Sequence, residues 1–311
     1  MKHTSVLLEE SIATLQIKPE GIYVDATLGR GGHSKQILEQ LTTGHLYGID
    51  KDEEAIRTSD SLLKAVSPSY TLIHDDFKNL KIRLEELGVH KIDGILFDLG
   101  VSSPQFDDPE RGFSYRFDAR LDMRMDQRQE KTAYDIVNFY SFEDLARIFR
   151  EYGEEPHAKY IARAIEKARM TQAITTTFEL VEIIKSALPQ KVLKKKGHPA
   201  KQVFQSLRLE VNQELEQLDE VLRQAAEMLK IDGCMAVISF HSLEDRIVKR
   251  VFQSLTTVEQ VDKRIPLLAT AIAKPKYELL SRKPVVANEE ELGSNPRAKS
   301  AKLRGIKRLE E

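Results

Sequence analysis

A single cysteine, Cys234, is all that the 311-residue chain contains. No intrachain disulfide can form, and a cysteine zinc cluster is excluded. Hydrophobic runs are equally scarce: none approaches the about 18 apolar residues of a membrane-spanning helix. The N-terminal stretch Val6-Leu7-Leu8-Glu9-Glu10 turns acidic too soon for a secretory signal. Neither sign of charge dominates, because 47 Lys and Arg face 49 Asp and Glu for a net of −2. Net charge therefore does not advertise a nucleic-acid binder. These absences point to an intracellular, cytoplasmic protein with no membrane partner.

What is present is ordinary for a globular protein, with 41% hydrophobic and 31% charged residues. The length suffices for one large α/β domain and a smaller one. Charge is unevenly placed, however. Lys191, Lys194, Lys195, Lys196 and Lys201 cluster mid-chain, and Arg297, Lys299, Lys302, Arg304, Lys307 and Arg308 cluster at the end. Each run reads either as a solvated face or as a grip on RNA phosphates.

From residue 21 to about 99, short apolar runs alternate with helical patterns, as in successive βα units. The strand candidates are 21–25, 45–50, 70–74 and 92–98, and a further buried strand is expected over 233–241. Weaker strands are expected near 266–273 and 277–286. Residues 107–131 read as a long loop with interleaved arginines and aromatics, a composition suited to holding an unpaired base. Helical periodicity without strand partners runs from 132 to 188, and 204–229 reads as one long amphipathic helix. The expected fold is thus α/β: a doubly wound, mostly parallel sheet with an inserted all-helical subdomain. Its expected parts are 1–130, the helical insertion 131–203, thought to recognise RNA, and 204–311 with a basic tail.

The most informative segment is Asp25-Ala26-Thr27-Leu28-Gly29-Arg30-Gly31-Gly32-His33-Ser34. Three glycines within four residues after a strand-terminal carboxylate let backbone pass close to a ligand. Gly29-x-Gly31-x-x-Ser34 nearly fits a dinucleotide fingerprint. Asp25 argues for a different class, since a carboxylate would repel a pyrophosphate but suits the cationic end of S-adenosylmethionine. Asp50, ending the second strand, can accept from both ribose hydroxyls or can cap the next helix. Phe77, after the third strand, can stack on adenine or belong to the core.

The fourth strand ends in Asp98-Leu99-Gly100-Val101-Ser102-Ser103-Pro104-Gln105, where open α/β sheets hold their ligands. Methyl transfer to an amine needs alignment and an acceptor for the N–H, and Asp98, Ser102 and Ser103 are candidates. Cys234 lies in an apolar strand, which suits inert packing rather than the thiolate that carbon-5 chemistry requires. His241, Ser242 and Glu244 follow the fifth strand and are expected to line the same cleft; one imidazole and one carboxylate make a poor metal site, so no metal is expected.

Several segments then resemble one family. His3-Thr4-Ser5-Val6-Leu7-Leu8, Gly29-Arg30-Gly31-Gly32-His33-Ser34, Asp93 through Gln105 and Arg111-Gly112-Phe113-Ser114 look like the ribosomal RNA small subunit methyltransferase H family. So do Leu121-Asp122-Met123-Arg124-Met125, Ser239 through Arg246, and Asn295 through Arg304. The resemblance spans nearly the whole chain. It implies a Rossmann-like, class I methyltransferase that uses S-adenosylmethionine to methylate N4 of a decoding-centre cytidine in 16S ribosomal RNA. It places cofactor contacts at Gly31, Gly32, His33, Asp50, Phe77, Asp98 and Gln105, to which the physical reading adds Asp25. Asp98 and Ser103 are the candidate catalytic residues. The expected partner is 16S ribosomal RNA in a small-subunit particle, with room for a homodimer. Competing readings are an NAD-dependent oxidoreductase, a methyltransferase for another RNA base, and an RNA-binding scaffold without activity.

Overall fold

The computed structural model describes residues 5–101, 103–257 and 275–310. They form two compact units, one of residues 1–100 with 216–311 and the other of 101–215.

The first unit is built on seven strands among the described residues: β1 Ile22–Asp25, β2 His45–Asp50, β3 Tyr70–His74, β4 Ile92–Asp98, β5 Leu229–Ser239, β6 Tyr277–Leu279 and β7 Lys302–Arg308. Their order is β3-β2-β1-β4-β5-β7-β6. The pairs from β3 to β5 are parallel, and β7 is antiparallel to both β5 and β6. The expected doubly wound, mostly parallel sheet is therefore present. The order reverses between β1 and β4, which opens the crevice where such sheets bind ligands. β4 is buried along almost its entire length, as a central strand covered on both faces must be. One core packs Val24, Ile95, Phe97 and Val237 beneath helices Leu218–Met228 and Ser242–Thr256. The opposite core packs Tyr23, Leu96, Ile238 and Leu303 with Val6 and Leu7.

β7 departs from the basic tail expected over its residues. Lys302 and Arg304 both pair with Asp245, at 3.0 and 2.7 Å. Lys307 pairs with Asp232 at 2.8 Å, and the buried Arg308 guanidinium donates to the carbonyls of Glu227 and Leu229. These four cations are occupied within the fold. The expected strand over 277–286 is shorter, followed only by an isolated bridge from Val285 to Leu303. The one expected near 266–273 lies outside the described residues.

The second unit is mainly helical. Its helices include Ala133–Phe139, Phe142–Glu151, Ala158–Arg169, Thr177–Ala187 and Lys201–Asn212. Capping boxes at Thr132 and Thr176 fix two of their starts. Periodicity predicts a single helix through 204–229, but the chain breaks at Gln213, which takes a left-handed conformation (φ 51°). Residues 107–131 have little regular structure, as expected, yet they are not free for RNA along their length. Phe113, Leu121, Met123 and Met125 are core. Arg111 is buried and donates to the carbonyls of Arg124 and Met125. Arg124 clasps Asp122 and Arg128 clasps Asp126. Tyr115 stacks on His198 with ring centroids 4.1 Å apart.

Candidate cofactor and methyl-transfer site

Three carboxylates end three adjacent strands at the crevice: Asp25 on β1, Asp50 on β2 and Asp98 on β4. Asp25 is 1% exposed. Its Oδ2 accepts from Ser34 Oγ at 2.7 Å and its Oδ1 from the Thr27 amide at 3.2 Å. That places it under the glycine loop as an organiser, with its charge sealed from water. Burial pushes its carboxyl up to about 6. Asp50 accepts from the Gly29 amide at 2.8 Å through Oδ2 and from the Asp52 amide at 2.9 Å through Oδ1. It too is pushed up to about 6 by burial. The helix beginning at Glu53 is capped by Asp52 instead, which removes the capping alternative for Asp50.

The loop between them is shaped by its glycines. Gly31 sits at φ 73°, and a Cβ there would meet Ser59 at about the closest approach side chains tolerate. A Cβ on Gly32 would run into the Ser5 hydroxyl. The segment Ser5-Val6-Leu7 thus has a structural meaning, since it covers the loop from outside.

Asp98 differs from the other two. Its amide donates to Thr27 Oγ1 at 2.6 Å, but its buried Oδ1 has no hydrogen-bond partner among the described residues. Burial raises its carboxyl well above the ordinary value, and Asp25 and Glu244 push the same way. His33 Nδ1 lies 3.6 Å from Asp98 Oδ2, while its Nε2 lies 3.1 Å from the Val6 carbonyl. Glu244, one of the residues after the fifth strand expected to line the cleft, is 2% exposed and accepts from the Phe240 and His241 amides just past β5. The capping box between His241 at the N-cap and Glu244 three residues on turns this carboxylate back over the strand end.

Phe77 follows β3 in a short turn of helix and meets Phe97 edge-on, with centroids 6.1 Å apart. It is half-buried, so it serves the core on one side and keeps a face outside it. Asp25, Gly31, Gly32, His33, Asp50, Phe77 and Asp98 all belong to the first unit. Gln105 is buried in the second unit, and Ser103 begins the helix Ser103–Asp107 there. Ser102 lies outside the described residues. His241 and Glu244 do not combine with a third ligand, and no cluster of three metal-ligating residues occurs among the described residues.

Residues 1–309 match the MraW methylase family. The chain belongs to that family. Over 310 residues it is 54% identical to a ribosomal RNA small subunit methyltransferase H from Streptococcus dysgalactiae subsp. equisimilis, covering 99% of this chain and 98% of that protein. An rRNA methylase of Streptococcus thermophilus aligns over 97% of this chain and 93% of its own at 14% identity, with a TM-score of 0.38. A SAM-dependent O-methyltransferase of Thermotoga maritima aligns over 100% of this chain and 68% of its own at 10% identity, with a TM-score of 0.42.

The site of this methylase fits S-adenosylmethionine. Three carboxylates, Asp25 buried and Asp50 and Asp98 half-buried, favour a cationic ligand, and one Asp98 oxygen has no partner among the described residues. The glycine loop lies close against Ser59 and Ser5, where a Cβ on Gly31 or Gly32 would not fit. A dinucleotide would bring its pyrophosphate against the same carboxylates, so the oxidoreductase alternative loses its support. No helix among the described residues is long and apolar enough to cross a membrane.

Proposed function

We propose that this methylase transfers a methyl group to the exocyclic N4 of a decoding-centre cytidine in 16S ribosomal RNA, in a cytoplasmic small-subunit particle. The observation that carries the reading is the Asp98 carboxyl at the end of β4, with one buried oxygen that no described residue engages. An exocyclic amine has N–H groups to offer that oxygen, and an amine conjugated to a ring becomes more nucleophilic as its proton is drawn away.

S-adenosylmethionine, when bound, supplies a methyl group on a positively charged sulfur. Asp50 suits its ribose, Gly31, Gly32 and His33 give passage along the loop, and the outer face of Phe77 suits the adenine. Asp25 holds the loop and adds negative charge, and Gln105 completes the proposed set. Asp98 accepts the amine hydrogen bond, orients the nitrogen and takes its proton. Ser103 is the second proposed acceptor.

Nitrogen chemistry is further favoured by Cys234. The thiol is fully buried in β5, and burial pushes it up to about 11, far from the thiolate that carbon-5 methylation uses. Cys234→Ala is therefore expected to retain methyl transfer. A trapped covalent RNA adduct, or complete loss in a folded variant, would point to carbon chemistry. The name of the 54%-identical relative supports ribosomal RNA of the small subunit as substrate. The deciding experiment is a labelled-methyl assay on naked RNA, isolated small subunits and whole ribosomes, with the product nucleoside identified by mass. Any product other than N4-methylcytidine overturns the reading.

A further inference from the structure

His33 is buried in the helix that follows the glycine loop, and each of its ring nitrogens faces an oxygen. Nε2 lies 3.1 Å from the Val6 carbonyl. A carbonyl can only accept, so Nε2 is the nitrogen that carries hydrogen. The ring is 4% exposed, and burial holds its pKa down to about 4, which leaves it neutral. Nδ1 is then a bare lone pair, and it lies 3.6 Å from Asp98 Oδ2.

A lone pair facing a carboxylate at 3.6 Å is repulsive, and a proton between them lets the pair close to hydrogen-bonding distance. The remaining charged neighbours of Asp98 act in the same sense. Asp25 approaches from β1 and Glu244 from the helix after β5, and both are anionic partners that favour a protonated Asp98. The Asp98 amide is fixed on Thr27 Oγ1. The carboxyl therefore has a held backbone, one oxygen toward His33 and one without a partner among the described residues.

We propose that His33 is a positioning residue that the Val6 carbonyl locks in its Nε2–H form, so that Nδ1 receives the Asp98 O–H once Asp98 has taken the proton of the methylated amine. This rests on the amine-methylation reading above and adds to it a device for holding the proton. In the balanced step the amine nitrogen gains the methyl carbon. That carbon's bond to sulfur breaks with its electron pair left on sulfur, and the nitrogen's proton passes to Asp98. The positive charge on sulfur disappears in the same step, so Asp98 becomes a stronger base as the proton must leave. The N-terminal segment that supplies Val6 thereby acquires a part in the chemistry.

The test uses two variants and one spectroscopic measurement. Long-range nitrogen–proton spectra of the wild-type ring at neutral pH, with S-adenosylhomocysteine bound, are expected to show neutral His33 with hydrogen on Nε2. An imidazolium, or hydrogen on Nδ1, overturns the proposal without any variant. His33→Gln keeps an N–H for Val6 but loses the lone pair toward Asp98. Its S-adenosylhomocysteine affinity is measured first, so that the pH profile is read at saturating cofactor whatever His33 contributes to the loop contact. The acid limb of its single-turnover pH profile should move down by roughly half to one unit, because protonated Asp98 has lost its acceptor. Its plateau should fall about 3- to 10-fold with the weaker base. His33→Asn restores an acceptor near the Nδ1 position and should return the limb toward wild type. An unmoved limb in a folded, ligand-binding His33→Gln overturns the proposal. The mass of the product nucleoside is read in the same reactions, so a failure of the cytidine reading is seen separately from a failure of the His33 assignment.

Discussion

Taking a carboxylate out of water costs the fold stability wherever hydrogen bonds and nearby cations do not fully offset it. Asp25 and Asp50 are both pushed up to about 6 from 3.8. A folded acid with a raised value contributes stability that is full below the unfolded value and lost as pH climbs through the folded one. Each therefore withdraws up to about 3 kcal/mol between pH 4 and 6. His33, held down to about 4, works in the opposite direction over the same window and offsets one of them. Thermal denaturation of the ligand-free protein should thus show stability falling from pH 4.5 to 6.5, and Asp50→Asn should flatten the fall. A steeper fall in that variant would contradict the assignment. Asp50→Ala should also weaken S-adenosylmethionine binding by about 1–3 kcal/mol, because charge-assisted hydrogen bonds to the ribose disappear. Unchanged affinity by calorimetry, with the fold intact, removes Asp50 from the ribose. Asp25, Asp50 and Asp98 were legible in the sequence because strand-terminal acids beside glycines are a local pattern. Glu244 was legible as a cleft residue after the fifth strand, but its approach to Asp98 was not, because it depends on β5 lying next to β4.

At the scale of elements, β1 to β5 were legible because buried parallel strands are apolar runs bounded by turns. β7 was hidden by its own charges. Lys302-Leu303-Arg304 alternates outward cations with an inward leucine, and the cations dominate the local pattern. The acids that neutralise them, Asp245 and Asp232, lie far away in sequence. Arg304 and Asp245 are each only 14% exposed, so breaking the pair leaves a poorly solvated charge. Arg304→Ala should destabilise the protein by about 1–3 kcal/mol in chemical denaturation. In the Asp245→Ala background the same change should cost much less. An equal cost in both backgrounds would mean that Arg304 works through packing alone. The salt dependence of RNA binding should be unaffected by Arg304→Ala beyond its effect on folding.

The whole molecule divides its charge between the two units in a way that net charge conceals. Helical periodicity bounds the inserted part at 131 and 203, whereas the second unit runs from 101 to 215. The difference has a physical source. Phe113, Leu121, Met123 and Met125 from the irregular stretch share a core with Val203, Phe204, Leu207 and Val211 of the helix Lys201–Asn212. The buried Asn212 amide ties the two together through Met123 and Met125. Periodicity cannot report such an arrangement, because the irregular stretch has none. While β7 uses its cations internally, Lys194, Lys195 and Lys196 stand exposed after a four-residue helix in the second unit. Exposed cations without a fold role are the ones free to replace counterions on a phosphate backbone. Neutralising all three should weaken RNA binding and flatten its salt dependence, the slope falling by about one unit for each phosphate no longer held. S-adenosylmethionine affinity should not change, because its proposed loop contacts lie in the first unit. Turnover at saturating RNA should fall far less than affinity, since phosphate contacts dock the substrate and do not touch the reacting nitrogen. Asp98→Asn should do the reverse, depressing single-turnover methylation while leaving the salt slope alone. Filter binding across salt, run beside single-turnover methylation for both variants, separates the two. Normal RNA binding by the triple lysine variant at every salt concentration would show those lysines to be a solvated surface and move the RNA-docking site elsewhere.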